Sequence, residues 1–311
     1  MMQDLFSMTC PACAKDIVRS RAKAVPYPQS GGKKHKFPQE ICFCASCGLG
    51  IAQPVPGEQE LADFYGQGEY WGKTSPRLID PRYYPGAYAN ARARWEFIYN
   101  ACPDIARSDI TLLDVGAGQG LMGWVAACDP RVRLKAYHAV EQDRHALQSL
   151  QTTWAARFPS VSFDGRQSLP QGERMYDLVV LSHVLEHVPQ PSGLLKSLRP
   201  MLKPGARVMA DVPFGDHVYR TDVFPHVLFF NDTALKAMAE RSGYSVLRMS
   251  GFGVSREQAC RMNKPGLMER LIFKVRGLLP LGWLSGYYAR KWRPELENRD
   301  GVWLRAIFEA N

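Results

Sequence analysis

The chain has no apolar run approaching the ~18–20 residues that a membrane-spanning helix requires, which excludes a helical membrane span. Its first residues, MMQDLFSMTCPAC, have neither the basic start nor the apolar core of a secretory signal, so a cytoplasmic location is expected. In a reducing compartment the eight cysteines act as thiols or metal ligands rather than disulfides. Internal repeats and low-complexity tracts are absent, which sets aside repeat architectures. What is present is 311 residues with 46% hydrophobic content, enough for one large domain and a small one. The formal charge is +9, and it is unevenly placed.

The densest signal is LLDVGAGQG, residues 112–120. Leu112, Leu113 and Val115 form a short apolar strand, with Asp114 one residue before the turn. Gly116, Gly118 and Gly120 alternate, and a helix follows from Leu121. A strand, a glycine turn and a helix make a crevice sized for a nucleoside or phosphate, because glycine lets backbone turn sharply and approach a ligand. Gly118-x-Gly120-x-x-Gly123 also satisfies the dinucleotide fingerprint, so a nicotinamide-dependent oxidoreductase stays open at this point.

Three features separate the two. Asp114 precedes the glycines where a dinucleotide strand carries an apolar residue. The glycines begin directly after the strand, so Gly123 falls inside the helix. YDLVVLSHVLEHV (176–188) follows where a fourth strand should end. Together these resemble class I S-adenosylmethionine-dependent methyltransferases over residues 58–251. The resemblance implies an α/β, doubly wound, seven-stranded Rossmann-like sheet that binds S-adenosylmethionine. Asp114, Gly116, Gly118 and Gly120 would line the cofactor. Glu141, at the end of the second strand (132–140), would accept the ribose hydroxyls, the role an acid has there in dinucleotide folds, with Asp143, which better suits the cap of the next helix, as runner-up. Asp164 would lie near the adenine amino group, although Asp164-Gly165 reverses the family's order. Ser182 ends the fourth strand at the binding edge. Arg92 or Arg94, on a helix over 88–101, offers a guanidinium fork for the methionine carboxylate, with a solvated basic face as the alternative. Tyr65, Tyr70 and Trp71 are candidates for a lid over the cofactor, or simply pack against the N-terminal segment.

That segment, 1–57, carries Cys10-x-x-Cys13 and Cys44-x-x-Cys47. Two such knuckles suit tetrahedral structural zinc, and a segment this short draws much of its folding energy from the metal. It resembles the zinc ribbon that precedes some bacterial methyltransferase domains. The rest, 58–311, reads as the methyltransferase domain.

His187 and His226 are candidate general bases for an oxygen or nitrogen acceptor, with bracing of the loop as the alternative for His187. A second metal site is also drawn from His183, Glu186, His187 and His226. The spacing i, i+3, i+4 puts the first three on one side of a helical turn, and the set resembles the Glu/His divalent-ion site of some methyltransferases. Such an ion would lower the pKa of an acceptor hydroxyl. The acceptor class expected is a small molecule or a lipid- or sugar-linked one.

The sixth and seventh strands, 244–250 and 302–310, normally pair across a short connection in this family. Here residues 252–301 intervene, with ten Lys or Arg against five Asp or Glu. The segment alternates apolar and aromatic stretches with bases. It reads as a surface for an anionic membrane or lipid-linked acceptor, or as a lid or dimer contact. A zinc-ribbon nucleic-acid-binding protein with a vestigial cofactor site is the remaining alternative, but the bases form no recognition helix or RNA-binding motif.

Overall fold

A computed structural model describes residues 7–18, 23–28, 39–57, 78–105, 109–262 and 267–311. The lid candidates Tyr65, Tyr70 and Trp71 lie outside them.

Seven strands form the central sheet: β6 (Asp109–Val115), β7 (Arg133–Val140), β8 (Ser162–Arg166), β9 (Tyr176–Ser182), β10 (Leu202–Pro213), β12 (Tyr244–Ser255) and β13 (Gly301–Ala310). Their order is β12-β13-β10-β9-β6-β7-β8. β10, β9, β6, β7 and β8 are mutually parallel, and β13 runs antiparallel between β10 and β12. Central strands covered on both faces should read as continuous apolar runs, and Leu178–Leu181 of β9 are fully buried.

One face carries α1 (Pro85–Ala101), α2 (Leu121–Cys128) and α3 (Arg144–Arg157), packed over Leu112, Val180, Met209 and Ile307. On α3, Leu147, Leu150 and Trp154 are buried as their spacing requires, and the Asp143 carboxylate caps the helix by accepting from the amides of His145 and Ala146. The opposite face carries α4 (Pro191–Leu198) and α5 (Asp232–Arg241). Asn231 caps α5 through the Ala234 amide, and Leu235, Met238 and Ala239 are buried. α4 stops at Leu198. Pro200 has no amide to continue the ladder, and Leu202 already opens β10.

The N-terminal segment forms a hairpin, β1 (Ser7–Thr9) with β2 (Asp16–Val18), and a meander of β3 (Lys23–Pro26), β4 (Glu40–Phe43) and β5 (Gly50–Gln53). The sequence boundary at 57 is crossed in space. β11 (Leu228–Phe229), from the larger domain, adds to β5, pairing Leu228 with Ile51 and Phe229 with Gly50. Cys10, Ile41 and Ile51 share one apolar core with Leu185, Val212 and Phe230. Ser192 Oγ and Arg241 both donate to the Pro11 carbonyl. Between β12 and β13 lie α6 (Arg256–Met262), α7 (Leu267–Val275) and α8 (Leu281–Trp292).

Candidate active site

The glycine turn folds as its sequence demands. Gly116, Gly118 and Gly120 have φ of +70°, +54° and +65°, a region that side chains disfavour. Tyr137 of β7 lies beneath the turn, and a Cβ at Gly123 would come within 2.5 Å of its ring. The Tyr137 hydroxyl donates to Oδ2 of Asp114 over 2.9 Å. Asp114 is thus buried under the loop, and burial raises its carboxyl to about 7. Glu141 stands at the end of β7. Its Oε2 accepts from the Gly118 amide at 2.8 Å and its Oε1 from the Asp143 amide at 2.9 Å. Burial pushes the Glu141 carboxyl up as well.

Asp164 sits inside β8 and pairs with Arg166 at 2.8 Å. Ser182 is half-buried at the end of β9, in register with Asp211. Arg92 is exposed on α1, whereas Arg94 is buried and its Nε donates to Asp211. Asp211 in turn faces Arg305 of β13, wholly buried, with Nε 3.6 Å from the carboxylate. Arg305 Nη1 donates to the Pro294 carbonyl at 2.8 Å, and its guanidinium lies over the Phe252 ring. Burial lowers Arg305 to about 10. The sequence reading missed this charged row. Its signal was a charge set among apolar neighbours, Asp211 in VMADVP and Arg305 in VWLRAIF.

Beyond β9 the backbone of His183 takes φ +55°, a strained choice for a non-glycine residue and a frequent mark of functional turns. Its Nδ1 lies 3.0 Å from Oε1 of Glu186. Residues 185–187 form a 3-10 turn rather than the α-helical turn implied by the spacing. One ligand atom each from Glu186, His187 and His226 lies within 4.8 Å of the others. His183 stands beside this trio and orients Glu186. His226 Nδ1 lies 2.7 Å from Oδ2 of buried Asp216. That partner fixes the ring and leaves Nε2 for a ligand or a proton. Spacing did not single out Asp216 as a partner of this cluster. Although burial opposes it, the His183 hydrogen bond and the neighbouring imidazoles hold Glu186 down at about 2. Burial lowers His187 to about 4, so its ring is neutral near pH 7.

The four ribbon cysteines also lie within 4.8 Å of one another. Sulfur separations are 3.6 Å for both Cys10–Cys47 and Cys13–Cys44. A disulfide needs about 2.05 Å. A zinc tetrahedron with bonds of ~2.3 Å has edges of ~3.8 Å, so the cluster fits a zinc ribbon.

A family model described as a methyltransferase domain matches residues 88–249, over half the chain. The ubiquinone biosynthesis O-methyltransferase of Caulobacter vibrioides is 30% identical over 100 residues, which are 31% of this chain and 38% of that protein. The chain therefore spans under two fifths of that relative's length. Among solved structures, the [4+2]-cyclase SpnF aligns with a TM-score of 0.49 at 16% identity, over 82% of this chain and 96% of its own. The CcbJ methyltransferase from Streptomyces caelestis aligns at 0.46 and 12%, over 80% and 97%. The glycine turn with its acidic supports, and the family match that spans it, leave one assignment: the chain belongs to the S-adenosylmethionine-dependent methyltransferases.

Proposed function

We propose that this methyltransferase acts on a hydroxyl of a small or lipid-linked acceptor. The observation that carries the reading is the Glu186, His187 and His226 trio, with Asp216 behind His226, just beyond the carboxyl end of β9. Ligands of open α/β sheets bind at that end. The hydroxylated acceptor is also the class to try first because the Caulobacter relative is named an O-methyltransferase.

S-adenosylmethionine, when bound, supplies an electrophilic methyl group on a sulfonium with a good leaving group. The chain's own task is mainly to position the acceptor in line with it. The glycine turn allows close backbone approach, and Glu141 at the end of β7 would accept from the ribose hydroxyls. The acceptor's proton needs a destination. His226, aligned by Asp216, can take it at Nε2, and neutral His187 lies edge-on to it with ring centroids 4.7 Å apart.

The same trio fits a divalent ion: one carboxylate and two imidazoles, one of them backed by a carboxylate. The donor set favours zinc, manganese or iron over magnesium. Such an ion would contribute Lewis acidity toward an acceptor hydroxyl. Cys10, Cys13, Cys44 and Cys47 would hold a separate, structural zinc.

The test is an acceptor screen with labelled methyl donor, run on protein of known metal content before and after chelation. Transfer to hydroxylated acceptors that is lost in His226→Ala supports the reading. Transfer confined to amines, or unaffected by His226→Ala, overturns it. Activity that survives chelation with the ribbon intact leaves His226 as a metal-free base.

A further inference from the structure

We propose that the α7–α8 hairpin docks this enzyme onto an anionic bilayer surface, whichever molecule accepts the methyl group. The proposal rests on how these two helices are seated. On α7, Ile272 is buried against the protein, yet Met268, Leu271 and Phe273 are 61%, 58% and 58% exposed. Leu278, in the turn after it, is 87% exposed. At 100° per residue, Met268, Leu271 and Val275 lie within about 60° of one another on the helix surface. They form an apolar stripe beside the buried edge, not scattered exceptions. Contiguous exposed apolar surface of this kind marks an interaction site.

α8 repeats the pattern. Leu284 and Ser285 are buried, Tyr288 packs against Gly86 of α1, and Trp283 is 48% exposed with its ring stacked on Tyr287. Trp283, Tyr287 and Arg290 again share one side. Lys291 reaches back to Glu269 over 2.6 Å, so the two helices are clamped as a hairpin. The apolar faces are held outward by that clamp.

Charge selects the occupant. Residues 252–301 carry ten basic and five acidic residues. Arg270, Lys274, Arg290 and Arg293 are exposed and form no ion pair among the described residues. Their stems can lie along the apolar stripe while the charges stay at headgroup level. Trp and Tyr favour the same boundary. No helix is long and apolar enough to cross a membrane among the described residues, and Pro280 with Gly277 and Gly282 breaks this one, so the hairpin would lie in the interface plane.

The experiment is flotation of the full-length protein with phosphatidylcholine vesicles, with and without phosphatidylglycerol. Binding is expected on the phosphatidylglycerol vesicles at low salt and should weaken as salt rises. Neutralising Arg270, Lys274 and Arg290 to Gln should cost about fivefold in partitioning per base, from ~1 kcal/mol each. Lys291 is left in place because it holds the hairpin closed. Leu271→Ser with Leu278→Ser should also reduce binding, with the Tm little changed because both side chains are mostly exposed. Absence of flotation at low salt overturns the proposal, as does flotation unchanged in both variants. A dimer in sedimentation that Leu271→Ser and Leu278→Ser dissolve would also overturn it, by assigning the stripe to self-contact.

Discussion

The Gly118 amide donates to Oε2 of Glu141 over 2.8 Å, while the Asp143 amide occupies the other oxygen. One carboxylate therefore ties the glycine turn to the start of α3. Glu141→Ala is expected to weaken S-adenosylhomocysteine binding by ~1.5–3 kcal/mol, the scale of a hydrogen bond to a charged group. It should also loosen the turn. Calorimetric titration measures the first effect and hydrogen exchange at Gly118 the second. Unchanged affinity would remove Glu141 from the cofactor site.

Asp114 makes stability depend on pH in an unusual direction. Its folded carboxyl is raised to about 7 from 3.8, because burial disfavours the charge. A raised carboxyl favours folding fully only below its unfolded value, and that contribution is lost as pH rises through about 7. Asp114→Asn keeps an oxygen for the Tyr137 hydroxyl and has no charge to bury. Its stability relative to the parent should grow between pH 4 and 7 by at most ~1.4 kcal/mol per pH unit, then level off. Urea unfolding at several pH values reads this difference. A difference independent of pH would overturn it.

Removing Asp211 should be severe. Its carboxylate lies between two buried guanidiniums, those of Arg94 and Arg305. Asp211→Asn removes the carboxylate both guanidiniums pair with and is expected to cost ~3–5 kcal/mol. Adding Arg305→Met should recover part of that loss, since one buried charge goes with it. The double-mutant cycle by thermal or urea unfolding measures the coupling.

Loss of the proposed zinc should be felt beyond the ribbon. The purified protein is expected to hold one zinc per ribbon, and Cys13→Ser to release it. The larger domain should stay folded, but β11 pairs with β5, and the Val227 amide donates to the Glu186 carbonyl. The Tyr27 hydroxyl also donates to the His226 carbonyl at 2.8 Å. Hydrogen exchange should therefore rise across 223–231 as well as in the ribbon. Protection unchanged at 223–231 would show that the ribbon does not support His226.

The sequence by itself determined the parallel core, the glycine turn and the four-cysteine cluster. Each is written in local terms: an apolar run, a residue type that alone tolerates φ > 0, a fixed pair spacing. The same holds for the Asp143 cap, which acts within three residues. Tertiary structure alone decided what long-range pairing creates. Asp211 meets Arg94 and Arg305 across 117 and 94 positions, and no local pattern encodes that meeting. His226 joins Glu186 and His187 because the chain returns after β10 to add β11 beside the ribbon. His183 lies against Glu186 from a backbone outside the helical region, a placement that residue spacing does not encode. The ribbon looked separable because its cysteines are self-contained in sequence. It is not separable in space, because a small segment with little core of its own gains more by burying Ile41 and Ile51 against the larger domain than by standing alone.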